Sequence, residues 1–111
     1  AIRAAGMPDG EYTLGEKHII VKNGVSRLES GDFAGSTLTM DRAVRNMMDL
    51  VGLSLQTAVK MATINPAVVI NVDKNKGSLD LGKDADIVIF DDEINVYTTI
   101  VKGKIVYNSN F

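Results

Sequence analysis

The chain has no cysteine and no tryptophan, one histidine and two prolines. Without cysteine it can form neither a disulfide framework nor a thiolate zinc site, and it fits a reducing compartment. A single histidine excludes metal motifs that need two, such as H-x-H and H-E-x-x-H. No apolar run approaches the roughly 18–20 residues a membrane-spanning helix needs, and the N-terminal residues lack the basic, apolar and small-residue order of a signal peptide. Neither charge sign dominates. Twelve basic and fourteen acidic residues are interspersed and leave a net charge of −2, which is no electrostatic footprint for nucleic acid. The expectation is a cytoplasmic protein with neither nucleic acid nor membrane as partner.

What is present is enough for one core. A chain of 111 residues buries roughly two thirds of its unfolded surface and is too short for two ordinary domains. With three Phe and three Tyr within 45% apolar content, the interior must rest on Val, Ile, Leu, Met and Ala.

The pattern divides into strand, helix and strand. Residues 1–10 carry Gly6 and then Pro8, Asp9 and Gly10, which is turn chemistry. Residues 12–28 read as one hairpin, its strands over 18–21 and 25–28 joined by Asn23 and Gly24, the pair suited to a type I′ turn. Met40, Ala43, Val44, Met47, Met48 and Val51 recur at intervals of three and four and predict a helix over about 39–51. Thr37 or Thr39 is expected to cap it, and Gly52 to end it. Ser54 caps a second helix, with Leu55, Ala58, Val59 and Ala62 on one face. Asn65 as cap and Pro66 as first helical residue predict a short third helix ending near Asn71. Strands follow over 87–90, 96–101 and 105–107, the last two forming a hairpin across Lys102, Gly103 and Lys104. The fold class is α+β: a β-hairpin, two to three helices, then C-terminal β-strands.

Candidate chemistry is sparse. His18 is the first suspect for acid–base work, because imidazole exchanges protons near neutral pH; with no second histidine or carboxylate motif beside it in sequence, it reads as an ordinary strand residue. Asp84, Asp86, Asp91, Asp92 and Glu93 are dense enough to suggest a hard-cation site but lack the spacing of a calcium loop. Turn capping by Asp84 and Asp86, and solvation of the other three, is the expectation. Gly77, Ser78, Leu81, Gly82 and Lys83 do not make a phosphate loop. Met40, Met47, Met48 and Met61 read as core. Phe33, Ala34, Gly35 and Ser36 open a helix, where unpaired N–H groups favour acceptors; as physics alone, a binding loop and a plain capping loop are equally open.

Four runs add a resemblance: RAAGMPDGEY at 3–12, FAGSTLTMDRAVRN at 33–46, MATINPA at 61–67 and GSLDLGKDADIVIFD at 77–91. Together they resemble the C-terminal portion of the N-acetylglucosamine-6-phosphate deacetylase family of amidohydrolases. The last run alone is shared more widely among amidohydrolases, whereas A-G-S-x-L-T-M preceded by R-A-A-G is more specific. The resemblance implies a metal-dependent hydrolase built as a (β/α)8 barrel joined to a small β-sandwich. Residues 1–71 would be its last loop, hairpin and final helices, and residues 72–111 strands of the sandwich. It implies N-acetylglucosamine 6-phosphate as substrate, a divalent metal such as zinc, and a homodimeric whole enzyme. By the same resemblance the catalytic aspartate and metal ligands lie upstream of Ala1. No residue here is assigned a catalytic or metal role, and the isolated chain is expected to be inactive and open to self-association. Phe33, Ala34, Gly35 and Ser36 match the segment that contacts the sugar phosphate. The alternatives are a self-contained, non-catalytic α+β interaction module and a fragment of another amidohydrolase.

Overall fold

The computed structural model describes residues 2–109. The chain divides into two compact units, Ala1–Thr39 and Met40–Phe111.

In the first unit, β1 (Gly10–Leu14), β2 (Lys17–Lys22) and β3 (Val25–Leu28) form an antiparallel sheet in chain order. Leu14 pairs with Lys17 and Lys22 with Val25, so both connections are two-residue turns. At the second, Asn23 and Gly24 take φ of 52° and 71°, the double positive φ of a type I′ turn, whose twist matches that of its strands. Asp9 braces this turn by accepting hydrogen bonds from the backbone N–H groups of Gly24 and Asn23. Those two bonds, Gly24 first, hold its carboxyl below the usual carboxylate range. Alternation along β2 sends Ile19 and Val21 inward and Ile20 outward. With Ala4 and Ala34 they make a small buried cluster, packed by Ile2, Tyr12 and Leu28. The single expected hairpin is therefore a three-stranded meander. Gly15 and Glu16 form a second tight turn, freeing residues 10–14 to pair with β2 as a separate strand.

The second unit holds α1 (Met40–Asp49), α2 (Leu55–Ala62) and α3 (Ile64–Val69), then β4 (Ile87–Phe90), β5 (Val96–Val101) and β6 (Lys104–Asn108) in a second antiparallel sheet, again in chain order. Ser54 caps α2 as expected, its hydroxyl accepting from the Thr57 N–H. Thr37 does not cap α1, which begins three residues later at Met40; its hydroxyl instead donates to the carbonyl of Gly24. Nor does Asn65 cap α3, which begins at Ile64 behind Thr63, two residues earlier than expected. Pro66 is accommodated because the first turn of a helix needs no internal donor; the first such bond runs from Ala67 N–H to the Thr63 carbonyl. The core is Val44, Ala58 and Ile94, packed by Met47, Met48, Leu55, Val59, Ala62 and Phe90. Met47 and Met48 are half-buried there, but Met40 and Met61 are 66% and 45% exposed, so the expectation of four core methionines holds for two. The α+β order of strands, helices and strands is as expected.

Candidate functional site

The segment of residues 33–36 is held from both sides. After β3 the chain doubles back: Gly31 N–H donates to the Leu28 carbonyl and Leu28 N–H to that of Asp32. This return lays Phe33 alongside Arg27 in an isolated antiparallel bridge. One residue on, Ala34 N–H donates to the Ser26 carbonyl at 3.0 Å, and the buried Ser26 hydroxyl donates back to the Ala34 carbonyl. On the opposite flank, Ile2 N–H donates to the Ser36 carbonyl at 2.8 Å. The Ser36 hydroxyl accepts from Leu38 N–H in a local turn.

Within this frame Ala34 is buried and Phe33 is 72% exposed. The Arg27 guanidinium lies 4.2 Å from the centre of the Phe33 ring, and its Nη1 donates to the Gly31 carbonyl at 2.6 Å. A cation over an aromatic face is attracted by the ring quadrupole, so Arg27 fixes both the ring and the return that carries it. Gly35 has φ of +96°, a region L side chains rarely adopt. None of the four side chains is titratable. The segment can shape a surface and offer hydrogen bonds, but it cannot move a proton.

The other candidates are engaged in structure. His18 lies between two carboxylates, with Nε2 3.4 Å from Glu11 and Nδ1 3.0 Å from Glu29. Nothing local to His18 announces this, because Glu11 comes from β1 and Glu29 from the turn that follows β3. They approach opposite ring nitrogens, so no one point is close to all three groups. Among the described residues, no three His, Asp or Glu side chains are placed to hold a metal ion.

Asp84 and Asp86 share the Lys76 ammonium, and Asp86 also accepts from the Lys102 N–H. Both carboxylates, Asp84 first, push Lys76 above its usual range. Asp91 departs from its expected solvation. It accepts from the Asn95 side chain, the Asn95 and Glu93 N–H groups and the Tyr97 hydroxyl, and these bonds, the Asn95 side chain foremost, lower its pKa to about 2. Lys83 donates to Ser78 and pairs with Asp80 within its own loop, as befits a turn rather than a phosphate cradle. The second unit also contains an open groove of about 690 Å³ whose lining includes Met40, Val44, Val59, Phe90, Val96 and Tyr107.

Two contributors to the segment escaped the sequence reading. Arg27 acts through a return whose course depends on the β3 pairing. Ile2 lies 34 positions from Ser36, across a contact that no local pattern encodes.

Residues 13–106 match the amidohydrolase family. The chain is 44% identical to the N-acetylgalactosamine-6-phosphate deacetylase of Escherichia coli O157:H7, over 95% of this chain and 28% of that protein. It is also 44% identical to the N-acetylglucosamine-6-phosphate deacetylase of Lysinibacillus sphaericus, over 99% of this chain and 28% of that one. Among solved structures, the N-acetylglucosamine-6-phosphate deacetylase of Thermotoga maritima superposes with a TM-score of 0.86 at 40% identity, over 98% of this chain and 30% of that one. The chain thus spans under a third of the length of these three proteins. With its match running through both units, the chain belongs to the amidohydrolase family.

Proposed function

We propose that this chain is the C-terminal part of an enzyme that hydrolyses the acetamide of N-acetylglucosamine 6-phosphate to glucosamine 6-phosphate and acetate. The reading is carried by 44% identity, over nearly the whole chain, to deacetylases of N-acetylated hexosamine 6-phosphates. Residues 1–71 are assigned to the last loop, hairpin and final helices of a (β/α)8 barrel, and residues 72–111 to strands of a small β-sandwich. In such barrels the reacting groups come from the loops at the C-terminal ends of the strands.

Phe33, Ala34, Gly35 and Ser36 are assigned to contact with the sugar phosphate. An exposed ring and a small-residue backbone suit the face and hydroxyls of a sugar, and the absence of a titratable side chain suits a holding role. The described residues do not fit a divalent-metal site, so no step of the hydrolysis is assigned to them. A metal in the whole enzyme is assigned to residues outside this chain.

The test is acetate release by the complete gene product, with N-acetylglucosamine 6-phosphate and its galactosamine epimer as separate substrates. Turnover of the glucosamine compound with at least tenfold preference is expected. Equal identity to relatives named for the two epimers makes the galactosamine compound the second reading, and a reversed preference would establish it. No release from either would sink both. Residues 1–111 alone are expected to release no acetate.

A further inference from the structure

At Gly35 two stretches of chain come close together. A Cβ built on it would lie 2.5 Å from Cγ2 of Ile2, well inside van der Waals contact. At that point Ile2 N–H donates to the Ser36 carbonyl, so side-chain packing and a backbone hydrogen bond meet at one seam. The other flank of the segment is fixed by Ser26 through Ala34. With Phe33 and Ala34 anchored on the β3 side, the seam is the tie on the Ser36 side.

We propose that Gly35 and Ile2 form a positioning pair whose close approach sets the placement of residues 33–36 for substrate contact. This rests on the deacetylase reading above. The pair is not catalytic: neither side chain can donate or accept a proton, and the effect passes through the segment between them. A methyl group on Gly35 must displace either Ile2 or the segment, and displacement of the segment weakens contact with the bound substrate.

Strain from positive φ alone is a separate matter, and the same sheet unit supplies its control. Gly15, in the turn between β1 and β2, also has a positive φ, +62°, yet a Cβ there meets nothing within 4 Å. Gly15→Ala carries the conformational penalty without the collision, and Ile2→Ala removes the atom with which a residue 35 methyl collides.

In the complete gene product, Gly35→Ala is expected to raise KM for the sugar phosphate at least tenfold with kcat changed less than threefold. Gly15→Ala should leave KM within threefold of wild type. Adding Ile2→Ala to Gly35→Ala should restore KM to within threefold, since the collision is then gone. Thermal melting of each variant separates unfolding from displacement, and a fold lost in Gly35→Ala but regained in the double variant supports the same seam. An unchanged KM in folded Gly35→Ala, an equal rise in Gly15→Ala, or no recovery in the double variant would overturn the pairing while leaving the deacetylase reading intact. A wild-type protein that releases no acetate would overturn that reading and the pairing with it.

Discussion

The two units are stabilised in different ways. In Ala1–Thr39 the buried cluster is small, and much of the definition comes from polar ties across the sheet: Asp9 to the Asn23 and Gly24 turn, Ser26 to Ala34, Thr37 to Gly24. In Met40–Phe111 the apolar content is larger but much of it faces outward, with Leu50 80%, Val69 79% and Ile105 65% exposed. Single exposed apolar residues are ordinary, but contiguous apolar faces mark association surfaces. The comparison separates roles. The unit carrying the proposed substrate segment is locally braced, whereas the helical unit leaves much of its apolar content exposed.

The contrast can be broken or sharpened by substitution. The largest effect is expected for Ile19→Ala, which empties a fully buried position in the smaller core and should cost about 2–5 kcal/mol, read by urea denaturation. Amide exchange should then accelerate in β1 to β3 more than in α1 and α2; uniform acceleration would mean that the units unfold as one. Val44→Ala, in the helical core and 8% exposed, should cost about 1–2 kcal/mol by lost apolar burial, with the exchange pattern reversed. Ser54→Ala removes the α2 cap and should cost about 1 kcal/mol, again by denaturation.

The smallest expected effect is on pH dependence. The folded pKa of Asp91, about 2, lies below its ordinary 3.8. A carboxylate lowered in this way contributes stability that is complete above about pH 4 and disappears as pH falls through about 2. Melting temperature measured across that window should fall less steeply in Asp91→Asn than in wild type. An unchanged slope would show that the hydrogen bonds at Asp91 do not persist in solution.

Local chemistry was legible where it was self-contained. Asn23 and Gly24 announced their turn because both φ values must be positive there, and Ser54 announced its helix because its hydroxyl reaches a donor three residues on. The Gly15 and Glu16 turn was hidden inside a stretch that already read as strand, so β1 merged with β2. Asn65 and Pro66 were misread because proline is tolerated anywhere in a first turn, not only at its first position. At the candidate site, the segment of residues 33–36 stood out in the chain, but what fixes it did not. Arg27 and Ile2 reach it through tertiary geometry, and Asp91 gathers its donors only once its turn has closed.

The stacking of Arg27 on Phe33 also supplies an intrinsic spectroscopic probe. Protons held above the face of an aromatic ring experience its induced field and resonate upfield, and the guanidinium lies 4.2 Å from the ring centre. The Arg27 δ-methylene and Nε–H signals therefore report on the ring that begins the proposed substrate segment. A change in their shielding on addition of a sugar phosphate would register movement of Phe33 without any label, at a position where no tryptophan exists to fluoresce.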